Sequence, residues 1–229
     1  MQRIDRAIGP ISDSQLALAP HSLEAGVTAR FGSPEADTLV YVAAGTGTIS
    51  LGQETSRLAV RSAALLLAGE EADIAARDDG LDLVVMTVRP DTDRHAPMGN
   101  RELVTSLDVA AAQQATGARS FQILFDATNG STRATLFADF VPPGKAPWHY
   151  HLYDEIVWVP EGPGRLHIGE ETEELGAGSA FRLRPREVHI VENASADREL
   201  TIIGIFTPAG SPSAAYLTPD VAAEYRFGR

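Results

Sequence analysis

The chain has 229 residues, 44% hydrophobic and 22% charged, with a formal net charge of -12 at pH 7. That composition belongs to a folded globular protein, and a surface so acidic repels polyanions, so nucleic acid is excluded as an expected partner. Without any cysteine, disulfides and thiolate ligands are excluded too, and a metal has to be held by nitrogen and oxygen.

No apolar run approaches the roughly 18 to 20 residues of a membrane helix, and no apolar segment of the signal-peptide kind follows Met1 to Arg6. The expectation is a cytoplasmic protein with no membrane partner.

From the N-terminus on, short runs of Val, Ile, Leu, Phe and Tyr are broken by Gly, Pro, Asn and Asp, the pattern of an antiparallel sandwich or barrel. Residues 38–47 form a β-rich run ending in Gly45-Thr46-Gly47. This reads as a hairpin turn, because the third glycine and the following helix of a dinucleotide-binding loop are missing.

The same run returns 117 residues later as residues 155–164. At that offset Gly52-Gln53-Glu54-Thr55 falls on Gly169-Glu170-Glu171-Thr172, residues 58–63 on 175–180, and residues 83–88 on 200–205. Turn and strand signals kept in register this long predict a duplication, two copies of one mainly β fold. The expected boundaries are residues 1–98 for the first copy, 99–119 for a linker and 120–229 for the second copy.

Within the linker, Ser106 can cap a helix over residues 107–115 that Gly117 would close. A second short helix is expected at the C-terminus, with Thr218 as cap, Pro219 in the first turn and Glu224 near its end. Both helices are expected to be packing elements.

The chemistry gathers in the second copy, in the run Gly144 to Glu155. His149 and His151 are two apart, so in a strand both project from one face. Glu155 follows at another even spacing and can return to that face across a bend. His189, on a later hairpin after Pro185, can supply a fourth ligand. Three imidazoles and one carboxylate make a nitrogen-rich site suited to a first-row transition metal. Asn193, four residues beyond His189, reads as a turn residue or a support for the loop.

In these residues the sequence resembles the cupin superfamily. Gly144, His149, His151, Glu155 and Gly162 fit its first motif, and Gly178, Pro185, His189 and Asn193 its second; Arg186 stands where the family has glycine. The resemblance implies two tandem cupin barrels, double-stranded β-helices of the jelly-roll kind. It also implies a metal held by His149, His151, Glu155 and His189 in the second barrel alone. At the offset of 117 those positions fall on Gly32, Pro34, Thr38 and Ala72, none of which offers a suitable side chain.

Four protein ligands leave two octahedral positions free, which favours catalysis over a structural role. The first expectation is an oxygenase or dioxygenase with one Fe(II) per chain, acting on a small hydroxylated or keto substrate. The alternatives are a redox-neutral isomerase, lyase or decarboxylase with Mn, Zn, Ni or Fe as the ion, or a cupin that only binds a small molecule; Cu is a further ion the site could take.

Tyr153, Glu161 and His167 are candidates for acid–base work, while His21 and His95 are read as ordinary polar residues. An inward Arg182 or Arg184 would select an anionic substrate. Val157 and Val159 share the parity of Glu155 and should line the pocket. Trp148 and Tyr150 should face away, against the other copy or a second subunit, and a homodimer is expected to protect the sheet edges. The acidic run Glu170 to Glu174 reads as a solvated turn.

Overall fold

In the computed structural model, residues 6–13, 15–115 and 118–219 are described. They are almost entirely β, in antiparallel sheets of eight, seven and six strands. The eight-stranded sheet is built from the first half. The other two come from the second half, joined by the N-terminal strand Arg6–Ile8, which pairs with Ser179–Leu183. No described helix is long and apolar enough to cross a membrane.

The two halves repeat each other down to single hydrogen bonds. Gly47 faces Leu58 as Gly164 faces Leu175, and Thr38 faces Leu66 as Glu155 faces Leu183. The Ser62 hydroxyl accepts from the Ala59 amide at 3.1 Å, and the Ser179 hydroxyl from the Gly176 amide at 3.0 Å. Glu70 accepts from the Leu67 amide at 2.8 Å, and Glu187 from the Arg184 amide at 3.1 Å. Each of these pairs is related by 117 residues.

That offset does not last to the final strand. Tyr41 faces Val84 and its counterpart Trp158 faces Ile203, so the last strands match at 119 rather than 117. The turn after Asn193 is longer by two residues. A shift of two leaves every side chain on its own face of the sheet, and so the alternation of apolar residues concealed it.

Two other expectations need correction. Gly45-Thr46-Gly47 is not a hairpin tip: it lies inside the strand Asp37–Leu51, where the register against Glu71–Val88 slips twice. A Cβ on Gly45 would stand 2.1 Å from the Gly80 carbonyl oxygen, and one on Gly47 2.6 Å from that of Ala75. The glycines therefore permit a bulge that bends the strand.

The helix expected over residues 107–115 is a single 3-10 turn, Val109–Ala111. Sheet pairing takes its ends: Val104–Ser106 pairs with Ser62–Leu66, and Gln113–Gln114 with Ser120–Phe125. An isolated helix of nine residues is marginal, so tertiary pairing decides. The C-terminal helix falls almost wholly on residues 220–229, outside the described residues.

Besides a small cluster of Phe121, Phe137, Tyr153 and Phe206, three larger apolar cores follow from strand alternation. One fills the first half, around Val40, Ile49, Leu66 and Ile74; a second fills the other half, around Val157, Leu166, Phe181 and Val191. The third lies between the halves, where Leu16, Leu39, Leu65 and Met86 pack on Phe125, Leu136, Ile156 and Ile205. At about 1.5–3 kcal/mol for each large side chain removed from water, that shared layer binds the halves firmly.

Arg186 adopts φ 65°, as Gly69 at the same turn of the first half adopts φ 89°. The arginine is exposed, and its amide donates to the His151 carbonyl at 2.6 Å, a bond that any residue can make. Arg186→Gly should therefore remove steric strain at little loss elsewhere, a gain of about 0.5–1 kcal/mol. Thermal melts check this, and a lowered melting temperature would contradict it.

Candidate metal centre

His149 and His189 face each other across paired strands, their ring centroids 4.4 Å apart. His151 comes from the turn just after, with its ring 5.0 Å from both. One nitrogen from each of the three lies within 4.8 Å of the others, a group able to hold a metal ion. Glu155, on Asp154–Trp158, brings its Oε2 to 3.6 Å from His151 Nε2. All four side chains are buried, between 2% and 8% exposed.

The backbone orients the rings. His149 Nδ1 donates to the Pro147 carbonyl and His189 Nδ1 to that of Glu187, each at 2.8 Å. Both therefore keep the Nε2 lone pair free for the cavity, as metal-binding histidines do.

Room for the carboxylate is made by Gly204, opposite Val157 on the neighbouring strand. A Cβ there would meet the Phe137 ring at 2.4 Å and Glu155 Oε1 at 3.0 Å. Glu155 Oε2 has no hydrogen-bond partner, though buried. A buried carboxylate oxygen left without a donor is costly, and a cation bound by the three imidazoles would answer it. On this ground the residues present suit a divalent ion.

Burial sets the charge state. It lowers His149 to about 4 and His151 to about 3, assisted by Arg119 on the first and by His149 on the second. His189 also lies well below its ordinary value, through burial and then the two neighbouring rings. Burial pushes Glu155 up to about 8, against the pull of Arg119.

For the metal-free protein these shifts predict a stability maximum near pH 6.5. Below 6.5 the unfolded chain takes up protons that the folded histidines refuse, so stability falls as pH drops towards 4. Above 4.5 the unfolded glutamate ionises while the folded one waits until about 8. Its contribution is thus lost as pH rises, at up to roughly 1.4 kcal/mol per pH unit. Between 4.5 and 6.5 three histidines outweigh one glutamate. Melts of chelator-treated protein from pH 4.5 to 8.5 should show this dome, and a divalent ion should flatten its alkaline side; a flat profile without metal would refute the charge states.

Further from the four residues the expectations divide. Val157 lines the cavity, whereas Val159 lies in the core behind it. Tyr153 stacks on His151 at 4.6 Å and on Phe206 at 3.9 Å, and its buried hydroxyl has no partner. Burial raises that hydroxyl above its ordinary range, so it stays a proton-bearing donor.

His167 instead binds Glu192 at 2.6 Å and Thr172 at 2.9 Å, and Glu161 lines a different groove. Asn193 is structural: its amide donates to the Val141 and Arg198 carbonyls, and its oxygen accepts from the Ser195 amide.

Neither Arg182 nor Arg184 enters the cavity. Arg182 lies 2.7 Å from each of Asp13 and Asp154, and Arg184 lies 3.4 Å from Glu187. The cation of the cavity is Arg119, which sequence reading missed, together with Asp139, with which it forms a close ion pair. Arg119 Nε is buried without a partner. Asp139 was discoverable as a lone charge amid the buried strand Thr135–Val141. Gly204, inside a run of Ile and Phe, gave a similar signal.

In the first half the matching place is filled. Ala72 stands where His189 does, and the residue facing it is Phe31 rather than Gly32, which pairs one step along. Among the described residues, the three histidines of the second half are the one group able to hold an ion.

Residues 136–206 match the cupin domain family. No curated protein matches the sequence at a significant level. A variant of Bacillus subtilis oxalate decarboxylase is similar in structure at a TM-score of 0.73 and 14% identity, over 94% of this chain and 76% of that one; another structure of that enzyme concerns its Mn(II) centres. Lactobacillus farciminis oxalate decarboxylase in a formate complex gives 0.70 and 12%, over 92% and 81%. A putative glyoxylate-induced protein from Pseudomonas aeruginosa gives 0.71 and 13%, over 90% and 78%. At such identities the likeness is one of fold.

Proposed function

We propose that the chain is a bicupin, two cupin barrels in tandem, whose second barrel holds one divalent metal ion through His149, His151, Glu155 and His189 and acts on a small carboxylate. The reaction favoured is redox-neutral, of the decarboxylase or lyase type. What carries this reading is Arg119, a buried guanidinium with an unpartnered Nε beside the histidines in a hollow of only about 40 Å³. That space equals roughly three waters, which limits the substrate to a few heavy atoms.

A bound ion would supply a Lewis acid for a carboxylate or carbonyl oxygen. Arg119 would take a carboxylate through its planar fork, and the Tyr153 hydroxyl would donate a hydrogen bond to an oxygen of the substrate. The ring of apolar side chains, Phe121, Phe137, Leu183 and Ile202 among them, excludes bulk water and strengthens each polar contact. Similarity in fold to oxalate decarboxylases, one with Mn(II) centres, agrees with this class.

An oxygenase is the second reading, because the same apolar lining suits dioxygen. The test is to load the metal-free protein with Mn(II), Fe(II) or Zn(II) and supply keto and hydroxy acids of two to four carbons. Product without net oxygen consumption supports the first reading. Oxygen uptake matching product, with Fe(II) alone, selects the second. Saturable binding with no turnover on any metal makes the chain a binding protein. We further propose a cytoplasmic homodimer; sedimentation of the purified protein tests the dimer, and fractionation of cells tests the location.

A further inference from the structure

A second groove, of about 300 Å³, opens where the two halves meet. Its walls come from equivalent strands: Tyr41 and Ala43 from the first half, Trp158 and Pro160 from the second, with Val60, Arg61 and Pro163 beside them. It is several times larger than the hollow at the histidines, enough for a ligand of one or two rings.

The Tyr41 and Trp158 rings lie 6.2 Å apart at 58° and are 4% and 9% exposed. Among the described residues neither the Tyr41 hydroxyl nor the Trp158 indole N–H has a hydrogen-bond partner in the protein, nor has the Arg61 guanidinium. Each of the three brings a hydrogen-bond donor to the lining of the groove.

Arg61 holds φ 72°, a left-handed turn that the second half makes with Gly178 at φ 76°. Strain in a non-glycine residue beside a cavity is a pointer to function. Arg61 is also the charge felt at the Tyr41 hydroxyl, where it opposes the effect of burial. Glu161 and Glu199, exposed at the rim, and Arg198 among the lining residues cancel to within one charge. With Arg61, itself exposed, the charged lining residues sum to zero, and Arg61 is the cation that acts on the Tyr41 hydroxyl.

We infer that this groove is a binding site for an aromatic carboxylate, its ring against Trp158 and the two prolines and its carboxylate between Arg61 and the Tyr41 hydroxyl. Guanidinium and carboxylate match as a planar bidentate pair, and flat apolar walls suit a ring. Such a ligand is too large for the hollow at the histidines, so this site is independent of the metal chemistry.

The test uses Trp158 as its own reporter. In the full chain carrying Trp148→Phe, 1-naphthoate is titrated while the remaining tryptophan fluorescence is followed. Saturable quenching is expected, weakened at least tenfold in Arg61→Gly and severalfold in Tyr41→Phe, and unchanged in the paired variant Arg119→Met with Asp139→Leu, which removes the buried ion pair without leaving a lone charge. Arg61→Gly suits the turn, so lost binding cannot be put down to misfolding. Absence of quenching at millimolar concentration would overturn the inference. So would equal binding of the neutral 1-naphthamide, or loss of binding in the paired Arg119→Met, Asp139→Leu variant, which would place the ligand at the metal centre.

Discussion

His151→Ala should hold less than a tenth of the metal bound by the parent protein when both are purified without a tag and loaded anaerobically with Mn(II) or Fe(II). Removing one imidazole from three leaves an incomplete set around the buried Glu155 carboxylate, and ions that bind only the folded state lose their hold. Elemental analysis reads the loss directly. Thermal melts read it again, since a ligand at a hundred times its Kd stabilises by about 2.7 kcal/mol and the variant should show no such rise. His21→Ala, a ring that meets Phe31 edge-on in the first half, should behave like the parent. A full equivalent of metal on His151→Ala would move the site elsewhere.

The histidines were legible because their geometry is local. A spacing of two puts His149 and His151 on one face, and the Pro185 turn that presents His189 repeats a turn of the first half around Glu70 and Gly69. Arg186 in place of that glycine was equally readable, and it does take a positive φ. The strand offset was not: a period of two cannot distinguish 117 from 119 once the turn after Asn193 lengthens. The linker defeated propensity for another reason. Residues 107–115 favour a helix on their own, but one end is claimed by a strand distant in sequence and the other by a local hairpin with Ser120–Phe125, and Gln122 holds the Asp108 amide at 2.7 Å in the turn that remains. Arg119 was hidden likewise, since a cation thirty residues before the first histidine reaches the cavity only by tertiary packing.

That hidden residue carries the second large effect. Arg119→Ala should weaken binding of oxalate to the metal-loaded protein by about a hundredfold, because truncating one side of a buried charged contact costs roughly 2–5 kcal/mol. Arg119→Lys should recover only part, since an ammonium lacks the planar fork. Isothermal titration measures both. The substitution also leaves the Asp139 carboxylate buried without its partner, at a cost of about 3 kcal/mol in stability, so weak binding alone would not separate substrate recognition from damage. The pair Arg119→Met with Asp139→Leu separates them: replacing both charges by apolar groups should return the melting temperature close to that of the parent. If the paired variant is stable and still binds oxalate poorly, the guanidinium recognises the ligand. Parent-like affinity in the stable variant would reduce Arg119 to a packing residue, and the carboxylate reading of the cavity would go with it.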